Sequence, residues 1–394
     1  MKNRPADIEY EGLNIDKEKV KSAKPTLNEK NFIEHHTYIF ERHKIWVKKE
    51  VKKLPSPWTD DEIFKKYKFT NVRRELDRES LWLINNISKN ANLTLEEKIL
   101  FSLLFRIYNK GDTFEALNII EDLPILEFGE DGINEFREKG NKFLEENPDF
   151  LFFTSAFLTS GIKRAWGYPK HFMKSENLTE EEKRTIYEVV DTDGNIIKKT
   201  SFQEAFTMTK NDDNLIIKDC EDSMLARGLW LLSYARDKIK VHSKIVEANS
   251  ATEVFEILQE VRGLSKFLAY QIFVDLTYIK DFKFSENEFT VSGPGCNWGL
   301  DFVFETKDGL NYEELLFWLK DNIVDLWKER GLEYDLEKLF EDLPEDDRNM
   351  NVMLLENSFC ETSKRIRIIE NPKNPRKIYR PTKKEFAKCI INEF

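Results

Sequence analysis

The chain has 394 residues, enough for one large core or two lobes, and carries 61 Lys and Arg against 72 Asp and Glu, a net charge of −11. Four scattered cysteines, Cys220, Cys296, Cys360 and Cys389, share no metal-ligand spacing, which argues against a zinc site or an iron–sulfur cluster and for reduced thiols. The N-terminus is charged and no apolar run reaches membrane-spanning length, so a cytoplasmic chain without membrane contact is expected.

With 15 Gly and 12 Pro among long helical periods, the chain reads as mainly α. Residues 1–28 form a polar N-terminal segment, and residues 29–172 an N-terminal helical lobe. Its first helix, 31–53, sets Phe32, His36, Ile39, Phe40, His43 and Val47 in one stripe before Pro55-Ser56-Pro57-Trp58-Thr59 ends it. A helix is expected after Thr70, with Asn71, Arg74 and Arg78 on one side and Val72, Leu76 and Leu83 facing the core. Further helices follow near 95–109, 113–121, 132–145 and 150–161. Residues 173–215 read as an insertion, because 187–201 places two β-prone runs around Asp193-Gly194, a strong hairpin signal.

Residues 216–394 return to helix, first at 220–235. The capping box Ser250-Ala251-Thr252-Glu253 opens a helix continued by Val254, Ile257, Leu258 and Val261. Gly263 then turns the chain into a second helix from about Ser265, on which Gln271 and Asp275 share an edge among apolar residues. Such a hairpin fits the grip of a nucleic-acid phosphate by backbone N–H groups, and equally a plain core hairpin. Two or three helices follow Tyr312.

The acidic total is an objection to DNA binding, but the cations are clustered. Arg42, Lys44, Lys48, Lys49, Lys52 and Lys53 form one run, and Lys65, Lys66, Lys68, Arg73, Arg74 and Arg78 another. A third, from Lys364 and Arg367 through Lys373, Arg376 and Lys377 to Lys384, is interrupted by prolines and reads as a basic C-terminal arm.

Four blocks resemble one family. Tyr67-Lys68-Phe69-Thr70-Asn71-Val72-Arg73-Arg74-Glu75-Leu76-Asp77-Arg78 is similar to the signature of the 5-hydroxymethyl-deoxyuridine DNA kinase helical domain, grouped with the α-glutamyl/putrescinyl thymine pyrophosphorylases. So are Phe267 to Gln271 with Asp275-Leu276, Phe284-Ser285-Glu286 through Gly293-Pro294-Gly295, and Glu356 to Glu361 with Lys364 and Arg367. The family in turn resembles the helix-hairpin-helix DNA glycosylases. The resemblance implies a two-lobed helix-hairpin-helix glycosylase-like body with a small β-hairpin insertion, DNA crossing between the lobes. No loop ending in Gly-Lys-Ser/Thr occurs, so a nucleotide-phosphate cradle of that kind is not expected here.

The activity implied is that of a monofunctional DNA glycosylase, a hydrolase that flips and excises a modified pyrimidine, in antiviral defence against hypermodified DNA. The alternatives are a transferase that joins an amine to an activated 5-hydroxymethyl pyrimidine with loss of pyrophosphate, and a non-catalytic reader of modified bases. For catalysis Glu288 ranks first, then Asp275 and Asp301, with the cluster of Asn71, Arg74 and Asp77 next. DNA contacts are expected from Gly263, Leu264, Ser265, Lys266, Arg74, Arg78, Lys364, Arg367, Arg376 and Lys377. A base pocket is expected from Asn71, Tyr270, Gln271, Gly293, Pro294, Gly295 and Trp298. No metal or cofactor is expected, and the partner is DNA with modified bases. Two departures stand out: Ser265 replaces the second hairpin glycine, and Phe267 stands at the slot of a Schiff-base lysine.

Overall fold

The computed structural model describes residues 15–147, 150, 152–153, 186–191, 195–212, 214–217, 224–261, 263–343 and 348–371. The chain is mainly helical with two small antiparallel sheets. It divides into two compact units, one made of Met1–Asp77 with Glu286–Phe394 and the other of Arg78–Ser285. Among the described residues no helix is long and apolar enough to cross a membrane.

In the discontinuous unit the expected first helix runs Glu29–Trp46, started by the Asn28 side chain, which accepts from Asn31 N, and continued by a wide π turn at Val47–Val51. Its buried stripe includes Phe32, His36, Ile39 and Phe40. It packs on Val352–Glu370, which also contacts Pro294–Val303 and Tyr312–Glu329. Two glycines set that approach: a Cβ on Gly299 would lie 2.1 Å from the Phe359 carbonyl oxygen, and one on Gly295 would lie 2.4 Å from Cys360 Sγ. Thr26–Leu27 pairs antiparallel with Phe304–Thr306.

The continuous unit is centred on Leu95–Tyr108, opened by a Thr94/Glu97 capping box and almost wholly buried. Met224–Tyr234, Val241–Glu247 and Lys266–Thr277 pack around it. The expected hairpin is present as Ile186–Asp191 against Ile196–Ser201, with Tyr187 opposite Thr200; a third strand, Leu215–Ile217, joins the other edge. Its Asp193-Gly194 turn and most of the expected 150–161 helix lie outside the described residues.

Two helices differ from expectation. The 113–121 segment is split into Gly111–Ala116 and Ile119–Asp122 because Asn118 adopts a left-handed φ of 48°. After Thr70 the chain is extended, Arg73 having φ −88° and ψ 115°, and forms only a 3-10 turn at Arg74–Leu76 before Arg78–Leu83 begins. Part of the cause is local: Asn71 donates from its backbone to Asp77 Oδ1 (3.1 Å) and from Nδ2 to the Leu76 carbonyl (2.8 Å), turn bonds that compete with helix.

A candidate active site around Arg74

The loop after Thr70 is pinned by apolar anchors and then loaded with charge. Phe69, Val72 and Leu76 are buried, which draws Arg73 and Arg74 inward with them. Arg73 is neutralised there: Nε bonds Glu75 at 2.7 Å, Nη2 bonds Asp342 Oδ2 at 3.0 Å, and the guanidinium lies over Phe340. It is an internal brace.

Three other segments close on the same loop. From Val352–Glu370, Asn357 Nδ2 donates to the Asn71 carbonyl at 3.0 Å, and Glu361 Oε2 accepts from Thr70 N at 3.3 Å. Glu356, one turn before, accepts from Gly293 N at 3.2 Å. Ser292 donates its N–H (2.9 Å) and hydroxyl (2.7 Å) to the buried Glu313 carboxylate, which fixes the Ser292-Gly293-Pro294-Gly295 loop from its other side. Glu286 accepts from Asn351 Nδ2 at 2.7 Å.

Arg74 is the common electrostatic partner of three acids. Burial pushes the Glu356 carboxyl up to about 7, against the pull of the Gly293 N–H and Arg74 and with a further push from Glu313. Burial and then Glu75 raise Glu286 to about 8, while Arg74 and Arg73 pull it down. Asp77 is raised to about 6, by burial first, offset by the Asn71 N–H, Arg42 and Arg74. Thr70, Asp77, Glu286, Asn357 and Glu361 keep part of their surface open to solvent, whereas Arg74 and Glu356 lie beneath. The Asn71 Nδ2 bond to Leu76 leaves Oδ1 as a buried acceptor with no hydrogen-bond partner. Acids that hold and release protons near neutrality, beside a fixed cation, suit general acid–base work.

The expected site residues divide between the units. Asn71, Arg74, Gly293, Pro294 and Gly295 belong to this cluster or its loop. Trp298, one turn into Pro294–Val303, is exposed, with the Arg367 guanidinium 4.7 Å from its ring; Lys364 donates to the Lys68 carbonyl. Glu288 is exposed, two residues beyond Glu286. Asp301 is on the surface, bonded to Tyr312 and Lys307.

In the other unit Gly263 has φ 94°, where a side chain would be strained, and the Ser265 hydroxyl accepts from Leu268 N to cap Lys266–Thr277. Leu264 is buried, Lys266 half-buried and Phe267 exposed. Tyr270, Gln271 and Asp275 are buried, and Asp275 is bound by Arg106 through both carboxylate oxygens at 2.6 and 2.5 Å. Arg78 is exposed beside Glu79. Arg376 and Lys377 lie outside the described residues. Sequence reasoning passed over Glu286 and Glu356 as acids, although both stand in the resembling blocks; what marks them is enclosure by distant segments, complete for Glu356 and partial for Glu286, which sequence spacing does not display.

The model of the 5-hmdU DNA kinase helical domain matches residues 30–374. A 5-hmdU DNA kinase of Bacillus phage SP10 is 24% identical over 335 residues, 83% of this chain and 43% of that protein. The chain thus spans under half the length of the curated relative. No solved structure matches. These findings overturn the expected glycosylase: the relative is named for kinase activity on DNA, not for hydrolysis of a glycosidic bond, and neither the hydrolase assignment nor the helix-hairpin-helix label finds support among them. By a match that runs from the first long helix to the end of the last one described, the chain belongs to the family of the 5-hmdU DNA kinase helical domain.

Proposed function

We propose that the chain modifies 5-hydroxymethyl pyrimidines in DNA by group transfer at the 5-hydroxymethyl substituent, with the acids around Arg74 as its acid–base centre. The observation that carries this reading is the convergence of Glu356, Glu286 and Asp77 on the buried Arg74, with Glu356 and Glu286 held by Gly293 N and Asn351 Nδ2 and all three carboxyls pushed up by burial. In the displacement form, an amine attacks the exocyclic methylene carbon of a base already carrying pyrophosphate. A C–N bond forms, the C–O bond to pyrophosphate breaks, and the proton released by the amine passes to a carboxylate of the cluster. A base in duplex DNA must first leave the stack, so the substrate is an extruded or unpaired nucleotide.

The test is nucleoside mass spectrometry after incubating the protein with DNA bearing pyrophosphorylated 5-hydroxymethyluracil and an amine. A mass gain on the base is expected. It should fall by orders of magnitude in Glu356→Gln, which removes the charge with little change of shape, and persist in Glu288→Gln and Asp301→Asn. Unchanged bases with every amine offered would sink the transferase. A second reading, a non-catalytic reader of modified bases, is favoured by one observation: the family is described as a helical domain and the chain covers 43% of the kinase. Tight, modification-dependent binding without a mass change would decide for it.

A further inference from the structure

Trp298 is an anomaly on its helix. Cys296, Gly299, Leu300 and Val303 are buried against neighbouring helices, yet the indole is 50% exposed. Its mount is rigid, because Gly295 and Gly299 lock Pro294–Val303 onto Val352–Glu370 at distances that admit no Cβ. Over the ring, 4.7 Å from its centroid, lies the Arg367 guanidinium, itself held by bonds from Nε to the Ser363 carbonyl (3.1 Å) and from Nη2 to Ser363 Oγ (3.3 Å). Lys364 lies one turn earlier on the same helix and reaches the backbone of Lys68, whose own side chain is exposed.

An exposed indole beside a guanidinium on a stiff mount has the makings of a single-strand platform, where an aromatic stacks a base and a cation adds to the stack. We propose that Trp298 and Arg367 form a stacking seat for an unpaired nucleobase flanking the reacting one on the same DNA strand. The proposal rests on the reading that this unit acts on DNA and adds where a second nucleotide is held. Position separates the two roles: Arg367 folds back onto Ser363, seven residues after Glu356, so about 10 Å of helix lies between the stack and the buried acid. One pyrimidine does not span that gap, but its neighbour along the strand does. The seat is indifferent to base identity, since every base has a π face.

The test uses the full chain and single-stranded oligonucleotides containing 5-hydroxymethyluracil, with 2-aminopurine placed one, two or three positions to either side. One flanking position should be quenched on binding to the wild type and stay bright with Trp298→Ala. Affinity should fall about ten-fold in Trp298→Ala and recover largely in Trp298→Phe but not in Trp298→Leu. The substitutions alter an exposed side chain, so the melting temperature should hold. Equal affinity and quenching in Trp298→Ala, or full rescue by Trp298→Leu, would overturn the seat. Self-association lost in Trp298→Ala with DNA binding untouched would reassign the indole to a second copy of the chain and overturn it too. Stacking with no mass change when the modified base carries pyrophosphate and an amine is supplied leaves the seat standing and removes the transferase; no binding of any strand by the wild type removes both.

Discussion

At the scale of single residues, buried titratable groups of opposite kinds set the pH response. Glu356, Glu286 and Asp77 have folded pKa values raised to about 7, 8 and 6, so they favour the folded state at low pH, and that contribution is lost as pH rises from the ordinary carboxylate range through those values. His35 and His43 act the other way. Burial lowers them to about 3 and about 4, so the folded state holds them neutral, and stability is lost as pH falls below their ordinary value of 6.5. Thermal melts across pH should therefore lose stability on the alkaline side as pH rises through about 6 to 8 and on the acid side as the unfolded histidines and carboxyls take up protons, and Glu356→Gln should flatten the alkaline limb while leaving the acid limb in place. A monotonic profile, or an alkaline limb untouched by Glu356→Gln, would mean that these carboxyls are charged in the folded protein.

Asp275 makes a contrasting prediction. It is 0% exposed and bound through both oxygens to Arg106, which also bonds Asn109. Asp275→Asn strands a buried guanidinium, so a loss of about 3–5 kcal/mol is expected in urea unfolding. Glu288→Gln, at an exposed position, should leave stability within roughly 0.5 kcal/mol. A stable, folded, inactive Asp275→Asn would move the chemistry to the hairpin unit.

Elements were legible where the signal was local. Asn28, Thr94, Ser250, Ser265, Asn311 and Asn351 each accept from a first-turn amide, and the capping signal at Ser250 places its helix within a residue. Val-Val before and Ile-Ile after Asp193-Gly194 made the two strands readable. The third strand, Leu215–Ile217, was not, because three residues carry no period of their own. The segment after Thr70 failed for a different reason: Val72 and Leu76 have helical spacing, but buried Asn71 and Arg73 bind partners far along the chain and hold it extended. Glu286 was missed in favour of Glu288 because alternate positions in an irregular loop look alike until one of them is enclosed.

The glycines of Pro294–Val303 are the structural device with the sharpest consequence. Gly299→Ala would put a methyl group 2.1 Å from a backbone oxygen of Val352–Glu370, which has no side-chain rotamer to yield. The two helices must separate, at about 3 kcal/mol or more by the cost of overpacking a core. Gly129→Ala, with nothing within 4 Å, is the control. If Gly299→Ala unfolds at the same urea concentration as the wild type, the close approach of those helices is not present in solution.

At the scale of the whole molecule, local pattern gave no hint that residues 1–77 and 286–394 form one body. Periodicity reports on neighbours a dozen residues away, whereas Thr70–Glu361 and Asn71–Asn357 span nearly three hundred. Charge is the other global quantity. With 72 acids to 61 bases the far field of the chain repels DNA, so any binding must come from cations close enough to touch phosphates. Each phosphate so neutralised releases counterions, and log affinity falls with log salt at about −0.7 per contact for a single strand and −0.9 for a duplex. Lys364 and Arg367 are half-buried and lie within the described residues; Lys373, Arg376 and Lys377 follow them in sequence, outside the described residues. Replacing those last three by Gln should weaken binding to all sequences alike and reduce the salt slope by about 2–3, because phosphate contacts carry no sequence information. Trp298→Ala should weaken binding with the slope unchanged, since stacking releases no ions. If affinity does not vary with salt, or the triple substitution leaves the slope intact, these cations do not meet the DNA backbone and the acidic field of the chain is the better guide to its partners.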